Sequence, residues 1–337
     1  MRVAIVHDDL VQWGGAEKIL LGICELFPDA PIYTAVINFD NDLIKENFKD
    51  KKIVTSFMQK IPFWKSLYKS LLPIYPIAFE QFNFNKFDLV ISHTTRFAKC
   101  IITKPETLHV SYCHTPPRFL WHFSGITNYG IGELLMSKLR VYDQIASSRV
   151  DQFIAGSENA KKRIKKIYKL DSKIIYPFID LEKFENIETF DGSYFVVVGR
   201  SSKYKRFDLA VQACEQLDKE LKIIGGSISE EMLIKILSGC KALIVPGEED
   251  FGLASLEAQA LGKPVIAYRS GGSLETVIEG KTGIFFDEKS VDSLKAVIIR
   301  FDRINIDQND CKQNVKKFSK DKFVENFKQI LAPLLYT

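Results

Sequence analysis

Two glutamates stand on either side of a glycine turn in the stretch GEEDFGLASLEAQALGKPVIA, residues 247–267. Glu249 precedes the turn and Glu257 follows it, and an apolar helix pattern begins just after Gly252. The N–H groups at the start of a helix attract an anion such as a phosphate. Carboxylates beside such a seat can accept hydrogen bonds from the paired hydroxyls of a ribose or of another sugar. The stretch therefore predicts a phosphate site flanked by two diol acceptors, although the helix dipole alone also favours acidic residues near a helix start.

Basic residues follow a second apolar run, in the stretch YFVVVGRSSKYKRFD. Arg200 and Lys205 come soon after this predicted strand, so we expect them at its carboxyl end. A diphosphate needs such cations, and arginine presents a fork of N–H donors that fits phosphate oxygens. A solvated basic loop is the alternative, and the position directly after VVVG favours the phosphate site.

Two further features follow predicted strands in the first half of the chain. Gly14 and Gly15 lie between the first strand and its helix, where small residues let a backbone approach a ligand and the helix start favours an anion. An ordinary strand–helix turn is the alternative, because a lone glycine pair is a weak signal. His114 precedes Pro116 and Pro117, which fix the local backbone. A rigid backbone would hold the histidine side chain in one orientation, as a catalytic residue requires, although a lone histidine is more often structural.

The elements that must position these residues alternate along the sequence. Predicted strands are RVAIVH, APIYTAVI, FDLVISHT, TLHVSYCHT and QFIAGS in the first half, and YFVVVGR, ELKIIGG, CKALIVPG, PVIAY and TGIFF in the second. Apolar strands separated by helices are typical of a parallel sheet covered on both faces. The proline-containing segment 172–184 interrupts the alternation, so we expect two α/β halves in series. Ligands bind beyond the carboxyl ends of such strands, and two facing halves would form a cleft.

Length and composition fit this organisation. The 337 residues suit two domains, and the net charge of +4 does not indicate a nucleic-acid-binding protein. The six cysteines are scattered without a CxxC pair, which indicates reduced core residues in a cytosolic protein rather than disulfides or a zinc site. The start, MRVAIVHDDL, lacks the pattern of a signal peptide, and no apolar stretch approaches the roughly 20 residues of a spanning helix. We therefore expect a cytoplasmic protein.

The motifs, taken in order, resemble the retaining GT-B enzymes of glycosyltransferase family 4 along nearly the whole chain. The matching stretches are WGGAEKIL, SYCHTPPRFLW, IAGSENAKKRI, YPFIDLEKF, GRSSKYKRFDLAV and EEDFGLASLEAQALGKPVIAYRSGGSLETV. The last contains the family's E-x7-E motif and is the most specific. The combination of DAPIYTAVI, SYCHTPPRF and YKRFDLAV is most similar to mannosyltransferases of bacterial O-antigen and capsule assembly.

The resemblance implies an α/β protein of GT-B fold, with two Rossmann-like domains facing each other across a cleft. It implies an acceptor-side domain over residues 1–171, a donor-side domain over 172–317 and a C-terminal helix, 318–337, that crosses back to the first domain. The implied activity is retaining transfer of a hexose, mannose foremost, from a nucleotide-diphosphate sugar to a lipid-linked or polysaccharide acceptor. GDP-mannose is favoured over UDP-sugars as the donor. No cofactor and no metal are implied, and retention would proceed by same-face attack through an oxocarbenium-like state.

The resemblance also implies roles for individual residues. Residues expected to act in catalysis are Glu249, Arg200, Lys205 and His114. Residues expected to bind the donor are Gly14, Gly15, Phe251, Gly252, Leu253 and Glu257. The two cations would neutralise the departing diphosphate, Glu249 and the N–H groups of residues 251–253 would hold the sugar, and Glu257 would bind the ribose. Gly15 would approach the diphosphate, and His114 would contact the sugar near its 6-hydroxyl.

The sequence departs from the family after the strand ELKIIGG. Gly225 and Gly226 run directly into SISEEMLIKILSGCKALIVP, where the family has an additional helix and strand that help to line the nucleotide-base pocket. The identity of the donor base is therefore the most open feature, and a UDP-sugar stays possible as the donor. Three further functions stay open: a nucleotide-sugar 2-epimerase, which the E-x7-E motif disfavours, a sugar-binding protein without catalysis, and a transferase-like subunit that scaffolds a partner.

A basic, aromatic stretch suggests contact with a membrane. Residues 57–76, FMQKIPFWKSLYKSLLPIYP, combine lysines with apolar side chains, as interfacial helices do. A peripheral position on the inner face of the cytoplasmic membrane would suit a lipid-linked acceptor. The alternative is a partly buried cover of the first domain. The lysine-rich run NAKKRIKKIYK is expected to be a solvated helix face.

Overall fold

The computed structural model describes residues 1–68, 70–122, 132–190, 192–200, 202–225 and 228–335. Its contacts divide the chain into two compact units. Unit 1 comprises Met1–Ile175 together with Asn326–Thr337, and unit 2 comprises Tyr176–Glu325. Each unit is built around one parallel sheet, as the alternation of apolar strands and helices predicts.

Unit 1 contains a seven-stranded sheet in the order β3-β2-β1-β4-β5-β6-β7. The strands are β1 (Val3–His7), β2 (Ile32–Thr34), β3 (Ile53–Thr55), β4 (Leu89–Thr94), β5 (Leu108–Cys113), β6 (Gln152–Ala155) and β7 (Ser172–Ile174). Every neighbouring pair is parallel, and the central pairing places His7 beside His93. The order 3-2-1-4-5 is that of a doubly wound nucleotide-binding sheet. Because β7 pairs with β6, the first sheet extends past residue 171, where the sequence analysis places the domain boundary.

Helices and short 3₁₀ turns connect these strands. The helices of unit 1 are α1 (Gly15–Leu26), α2 (Asp42–Phe48), α3 (Trp64–Leu67), α4 (Tyr75–Glu80), α5 (Glu133–Ser147) and α6 (Glu158–Tyr168). Further 3₁₀ turns span Phe57–Lys60, Leu72–Ile74 and Ala98–Cys100. The helices bury one face each: in α6, for instance, Ile164 and Ile167 pack into an apolar cluster, while its lysines face solvent as predicted.

Unit 2 contains a five-stranded parallel sheet in the order β12-β11-β10-β8-β9. Its strands are β8 (Phe195–Val198), β9 (Leu221–Ile224), β10 (Ala242–Val245), β11 (Val265–Tyr268) and β12 (Gly283–Phe286). Within the described residues β9 is an edge strand, and the next strand along the chain returns to the other side of β8. A doubly wound sheet of six strands would carry one more strand beyond this edge. The sheet thus matches the departure from the family pattern after Gly225, whereas Gly226 lies outside the described residues.

The helices of unit 2 cover both faces of this sheet. They are α7 (Phe207–Gln216), α8 (Glu230–Ser238), α9 (Leu253–Ala260), α10 (Ser273–Thr276), α11 (Val291–Phe301) and α12 (Gln308–Val315). Short 3₁₀ turns span Leu181–Phe184, Lys203–Lys205 and Lys316–Phe318. One apolar cluster lies under α9 and another under α7 and α11, so the sheet is buried on both sides. The last helix, α13 (Lys320–Leu335), begins in unit 2 and continues into the residues assigned to unit 1.

Three further observations concern cysteines, membrane spans and metal-ligating side chains. All six cysteines are buried thiols without disulfide partners. In the described part of the chain, no helix combines the length and the apolar character needed to cross a membrane. No group of three or more histidine, cysteine or acidic side chains among these residues could hold a metal ion.

Candidate active site

In doubly wound sheets ligands bind beyond the carboxyl ends of the strands, at the point where the strand order reverses. In unit 2 that point lies between β8 and β10. The segment that begins with Gly199 follows β8, and the segment that contains Glu249 follows β10. In unit 1 the reversal lies between β1 and β4, whose ends carry His7 and His93. Lys205 and Glu249, which were predicted from the sequence, therefore flank the switch point of unit 2, and two histidines that were not predicted flank that of unit 1.

Lys205 and Glu249 meet at the switch point of unit 2. The Lys205 Nζ lies 2.9 Å from Glu249 Oε1, and the two side chains are only 15% and 21% exposed. Burial lowers the pKa of Lys205, but the charge and the hydrogen bond of Glu249 outweigh it, so that the net pKa is raised. The lysine is therefore a held cation, and its carboxylate partner is oriented by it.

Two glycines make this pairing sterically possible. Gly199 has φ +128°, and a Cβ placed there would lie 2.4 Å from Lys205 Nζ. Gly247 lies against the 3₁₀ turn that carries the lysine, and a Cβ there would lie 2.1 Å from the Tyr204 carbonyl oxygen. A larger residue at Gly247 would push the turn away from the end of β10. The sequence alone does not single out Gly247 for this role, because the steric conflict exists only in the folded unit.

The segment from Glu249 to Leu253 leads into α9. Gly252 caps this helix in the left-handed conformation, with φ +103°, which favours glycine. A second loop supports the segment: the Gly272 N–H donates to the Glu249 carbonyl oxygen at 2.9 Å, and a Cβ on Gly272 would lie 2.2 Å from Phe251 Cα. The predicted helix start at Leu253 is confirmed. The supporting role of Gly272 was not predicted, although SGGSLETV is part of the family resemblance.

The other two predicted residues of unit 2 differ in their surroundings. Glu257 lies in the second turn of α9 and is 8% exposed, so its carboxylate is held within the unit. Arg200 follows β8 and Gly199 and is exposed. Both residues have interactions with other groups of the protein. Unit 2 thus brings Lys205, Glu249 and the start of α9 together, and Arg200 lies near the end of β8.

In unit 1 a buried aspartate organises the loop after β4. Asp8 Oδ2 accepts hydrogen bonds from the N–H groups of Thr95 and Arg96 at 2.6 and 2.9 Å. Its Oδ1 accepts from the N–H groups of Phe97 and Ala98 at 2.8 and 2.7 Å. Burial disfavours the charge, but the charges of Arg96 and His7 and these N–H donors lower the net pKa of Asp8. Asp8 was not predicted as a site residue, because its partners lie more than 80 positions away.

Three histidines of unit 1 form a row of contacting rings. His7 and His93 have Nδ1 atoms 3.0 Å apart, and His93 Nε2 lies 2.7 Å from His114 Nε2. We call His7, His93 and His114 the histidine row. At its inner end His7 Nε2 lies 3.8 Å from Oε1 of Glu17, in the first turn of α1. Of these residues only His114 was predicted, since the other side chains carry no local motif.

Gly14 and Gly15 stand at the start of α1, next to Glu17. Gly14 is the N-cap in an extended conformation, and its carbonyl oxygen accepts the first helical hydrogen bond, from the Lys18 N–H, at 3.1 Å. A Cβ on Gly14 would lie 3.4 Å from Glu17 Oε2. The glycine turn therefore stands next to Glu17, and Glu17 contacts the histidine row at His7.

The arrangement of unit 2 suits the departure of an anion. A preplaced ammonium and the N–H groups at a helix start stabilise negative charge that develops in a reaction. A carboxylate held by that ammonium can accept hydrogen bonds from hydroxyls on the same molecule. The site therefore offers both parts that a sugar linked to a diphosphate would require.

Comparisons with known protein families agree with this chemistry. The family described as "Glycosyltransferase Family 4" matches residues 13–183, and the one described as "Glycosyl transferases group 1" matches residues 181–318. The first match alone covers half of the chain, and the two together extend from the glycine turn to the 3₁₀ turn Lys316–Phe318.

Individual relatives extend along the chain or share a short segment. The alpha-1,3/1,6-mannosyltransferase ALG2 of Dictyostelium discoideum is 24% identical, over 99% of this chain and 98% of its own length. The GDP-mannose-dependent alpha-(1-6)-phosphatidylinositol monomannoside mannosyltransferase of Mycolicibacterium smegmatis is 48% identical over 50 residues, which are 15% of this chain and 13% of that protein.

Solved structures share the fold. The Anabaena protein HepE in complex with UDP and glucose has a TM-score of 0.71 at 14% identity, and the similarity covers 99% of this chain and 100% of that one. At this identity the similarity concerns the fold. The predicted class, GT-B with two Rossmann-like domains, is confirmed.

Proposed function

The chain belongs to glycosyltransferase family 4 and is a glycosyltransferase, and we propose that it transfers mannose from GDP-mannose to a lipid-linked saccharide with retention of anomeric configuration. The observation that carries the proposal is the Lys205–Glu249 pair at the switch point of unit 2, next to the start of α9. The ammonium would stabilise the leaving GDP, and the carboxylate would bind hydroxyls of the mannose.

The other predicted residues receive roles around this pair. Arg200 would share the charge of the diphosphate, and Glu257 would accept hydrogen bonds from the ribose diol. The N–H groups of Phe251, Gly252 and Leu253 would contact the donor. From unit 1, Gly15 with Gly14 would approach the diphosphate, and His114 would contact the sugar near its 6-hydroxyl. We propose neither a cofactor nor a metal ion for this chemistry.

The donor is the first point to test. Mannosyltransferase relatives over the whole chain support mannose, and the name of the short-range relative specifies GDP-mannose. The structural relative with bound UDP and glucose supports a UDP-sugar as the second candidate. A screen that follows nucleotide release from GDP-mannose, UDP-glucose and UDP-galactose separates them. Release of GDP alone supports the proposal, release of UDP overturns the choice of donor, and tight nucleotide binding without turnover would indicate a binding or scaffolding subunit.

We propose that the acceptor is an intermediate in the assembly of a surface polysaccharide. The motifs shared with O-antigen and capsule mannosyltransferases support a lipid-linked oligosaccharide at the cytoplasmic face of the membrane. Retention would follow from same-face attack through an oxocarbenium-like state. The anomeric configuration of the product, measured by its one-bond carbon–proton coupling, tests this step, and an inverted product would exclude it.

Replacing Glu257 with alanine should weaken nucleotide binding. A hydrogen bond to a charged group contributes about 1.5–3 kcal/mol, so the dissociation constant for GDP should rise roughly 10- to 100-fold. Calorimetry with GDP measures this change. Glu248→Ala is the matched control, because Glu248 lies in the same strand-to-helix segment and has no assigned role. Equal affinity of a folded Glu257→Ala variant and the wild type would remove Glu257 from the site.

The predicted membrane segment divides into buried and exposed side chains. Met58, Trp64 and Tyr75 are buried in the core of unit 1, which fits the alternative of a structural cover. Phe63 is 84% exposed in a left-handed conformation, and Phe57 and Leu67 are 39% and 42% exposed. Lys60 and Lys65 are exposed on the same segment, and Lys69 lies outside the described residues. We propose that the exposed side chains contact the acyl boundary of an anionic membrane.

Anionic vesicles should bind the protein in a salt-dependent manner. Each lysine near an anionic surface contributes about 1 kcal/mol, and salt screens this attraction. Sedimentation with vesicles should decrease for a variant that combines Lys60→Ser, Phe63→Ser and Lys65→Ser. The matched control is Phe190→Ser, since Phe190 is 56% exposed and belongs to unit 2. Equal sedimentation of the triple variant and the wild type would leave segment 57–76 as a cover of the core.

A further inference from the structure

The histidine row has contacts at both ends that restrict where its protons lie. The rings of His7 and His93 stack with centroids 5.0 Å apart, and the ring of His114 stands edge-on to His93 at 4.6 Å. His7 and His93 are buried, and Tyr112 stacks on His93 from the neighbouring strand β5. Each ring nitrogen of a neutral histidine either donates or accepts, so that neighbouring rings must be matched.

A backbone carbonyl determines the first proton. His7 Nδ1 lies 3.3 Å from the carbonyl oxygen of His93 and 3.0 Å from His93 Nδ1. A carbonyl oxygen can only accept a hydrogen bond. If His7 Nδ1 carried no proton, a lone pair would face this oxygen in a buried site, which is unfavourable. His7 Nδ1 therefore carries a proton and points it at two acceptors, the carbonyl oxygen and His93 Nδ1.

The remaining protons follow from this one. His93 Nδ1 accepts, so the proton of a neutral His93 is on Nε2. That N–H faces His114 Nε2 at 2.7 Å, and His114 Nε2 must then be the acceptor. A neutral His114 consequently carries its proton on Nδ1. We propose that His7 and His93 are positioning residues that hold His114 as a neutral ring protonated at Nδ1, so that its Nδ1 acts only as a donor.

The charges around the row agree with this direction. Burial lowers the pKa of His7, but the hydrogen bond and charge of Glu17, with the charges of Asp8 and Asp9, raise it overall. The imidazolium favoured there has protons on both nitrogens, one facing Glu17 and one facing His93. Burial, and then the nearby His114 and His7, lower the pKa of His93 well below its ordinary value, so His93 is neutral. The nearby guanidinium of Arg96 forms an ion pair with Asp9 at 2.6 Å.

This inference deepens the proposed function and rests on it for the identity of the bound molecule. A group that contacts His114 Nδ1 must be an acceptor, such as a hydroxyl oxygen of the donor sugar. The ring would donate a neutral hydrogen bond, and it would not add a positive charge next to the anomeric carbon. The row also joins His114 to Glu17 in the first turn of α1, the helix whose glycine turn is proposed to approach the diphosphate.

The proton positions can be measured directly in the full-length protein. Long-range ¹H–¹⁵N correlation on ¹⁵N-histidine-labelled protein distinguishes protonated from unprotonated ring nitrogens. The sequence has five histidines, so single substitutions suffice to assign them. In the wild type without ligand at pH 7, we expect His114 protonated at Nδ1 only, His93 at Nε2 only and His7 protonated at Nδ1. A proton on His114 Nε2 would overturn the proposal.

Two substitutions of His93 separate the proton effect from packing. His93→Phe keeps a ring but removes the donor to His114, so His114 should no longer show Nδ1 alone protonated. His93→Gln can present an amide N–H to His114 Nε2 and should restore the wild-type pattern. His109, whose Nε2 contacts Ser92 instead, is an internal reference that should not change. If His93→Phe does not fold, His7→Phe replaces it, since it removes the donor at the start of the row. Retention of the wild-type pattern in a folded Phe variant would overturn the positioning role.

Binding measurements then test the connection to the reaction. A neutral hydrogen bond contributes about 0.5–1.5 kcal/mol, so His93→Phe should lower the affinity for GDP-mannose about 3- to 10-fold. His93→Gln should restore part of this affinity. GDP, which lacks the sugar, should bind all three proteins alike. If GDP-mannose is not a substrate but the spectrum is as expected, the proposed function fails and the proton assignment stands. If GDP-mannose is a substrate and its affinity is the same in all three, the assignment has no role in donor binding.

Discussion

Replacing Lys205 with alanine should lower turnover about a hundredfold while the protein stays folded. Loss of one preplaced group that stabilises developing negative charge costs on the order of 10²–10³ in rate, or about 2.7–4 kcal/mol in the activation barrier. Lys205 is held for such a role, because its Nζ lies 2.9 Å from Glu249 and its stem folds over Gly199. Loss of the cation also removes the ion pair that orients the Glu249 carboxylate. Steady-state release of nucleotide, with thermal unfolding of each variant, measures both consequences.

The 3₁₀ turn supplies a matched control for this experiment. Lys203 lies in the same turn, Lys203–Lys205, and is exposed, so Lys203→Ala should retain turnover close to that of the wild type. Arg200→Ala should also lower turnover about a hundredfold if both cations share the diphosphate. Near-normal rates in both Lys205→Ala and Arg200→Ala would mean that the segment is a solvated basic loop. A rate loss that tracks a loss of folded protein would point to a structural role instead.

Replacing Asp8 with alanine should destabilise unit 1 by about 3–5 kcal/mol, the range for removal of one partner of a buried charged network. Four consecutive N–H groups, those of residues 95–98, would lose the carboxylate that accepts their hydrogen bonds. The N–H groups of Phe97 and Ala98 are buried, and the loss of an acceptor by a buried donor costs far more than the net value of the hydrogen bond. Hydrogen exchange of peptides covering 89–100 should accelerate, while peptides from β8 and β10 in unit 2 should exchange as before.

The effect should depend on pH in a defined direction. Folding lowers the pKa of Asp8 below its ordinary value of 3.8. Ionised Asp8 therefore stabilises unit 1 fully above that value, and its contribution decreases as the pH falls through it towards the folded pKa. The difference between wild type and variant should be constant from about pH 7 to pH 5 and smaller below 3.8. Asp88→Ala is the control: it removes an exposed pair with Arg2, which water and salt screen, and should change stability little. Equal effects of the two substitutions would contradict the role of Asp8.

Local sequence signals determined most of the elements. Runs such as VAIV and FVVV are apolar throughout because both faces of a parallel sheet are covered, and they lie in β1 and β8 as predicted. The start of α9 at Leu253 follows from Gly252, which adopts a backbone conformation that glycine favours. The short strands β3 and β7 escaped prediction, because three residues each are too few to show a period.

Burial within segment 57–76 could not be predicted in the same way. Phe63 and Trp64 are neighbours with similar apolar character, yet the first is exposed and the second is packed in the core of unit 1. Phe63 is the N-cap of α3 in a left-handed conformation, and Trp64 is the first residue of the helix. The sequence alone therefore left the membrane and structural interpretations of this segment open, and the exposed side chains identify which residues an experiment should change.

By itself the sequence determined which residues of the second half stand at the strand ends. Arg200, Lys205, Glu249 and Glu257 lie close to recognisable strands and helix starts, and short spacing keeps such residues near one sheet edge. Only the tertiary structure decided the contacts of Asp8 and of the histidine row, since β1 and β4 lie more than 80 residues apart in sequence and become neighbours by crossover. Proton positions depend on which atoms meet across those strands. Those contacts exist only after the sheet has formed. They place His114 beside His93, and the proposed protonation of His114 at Nδ1 depends on this contact.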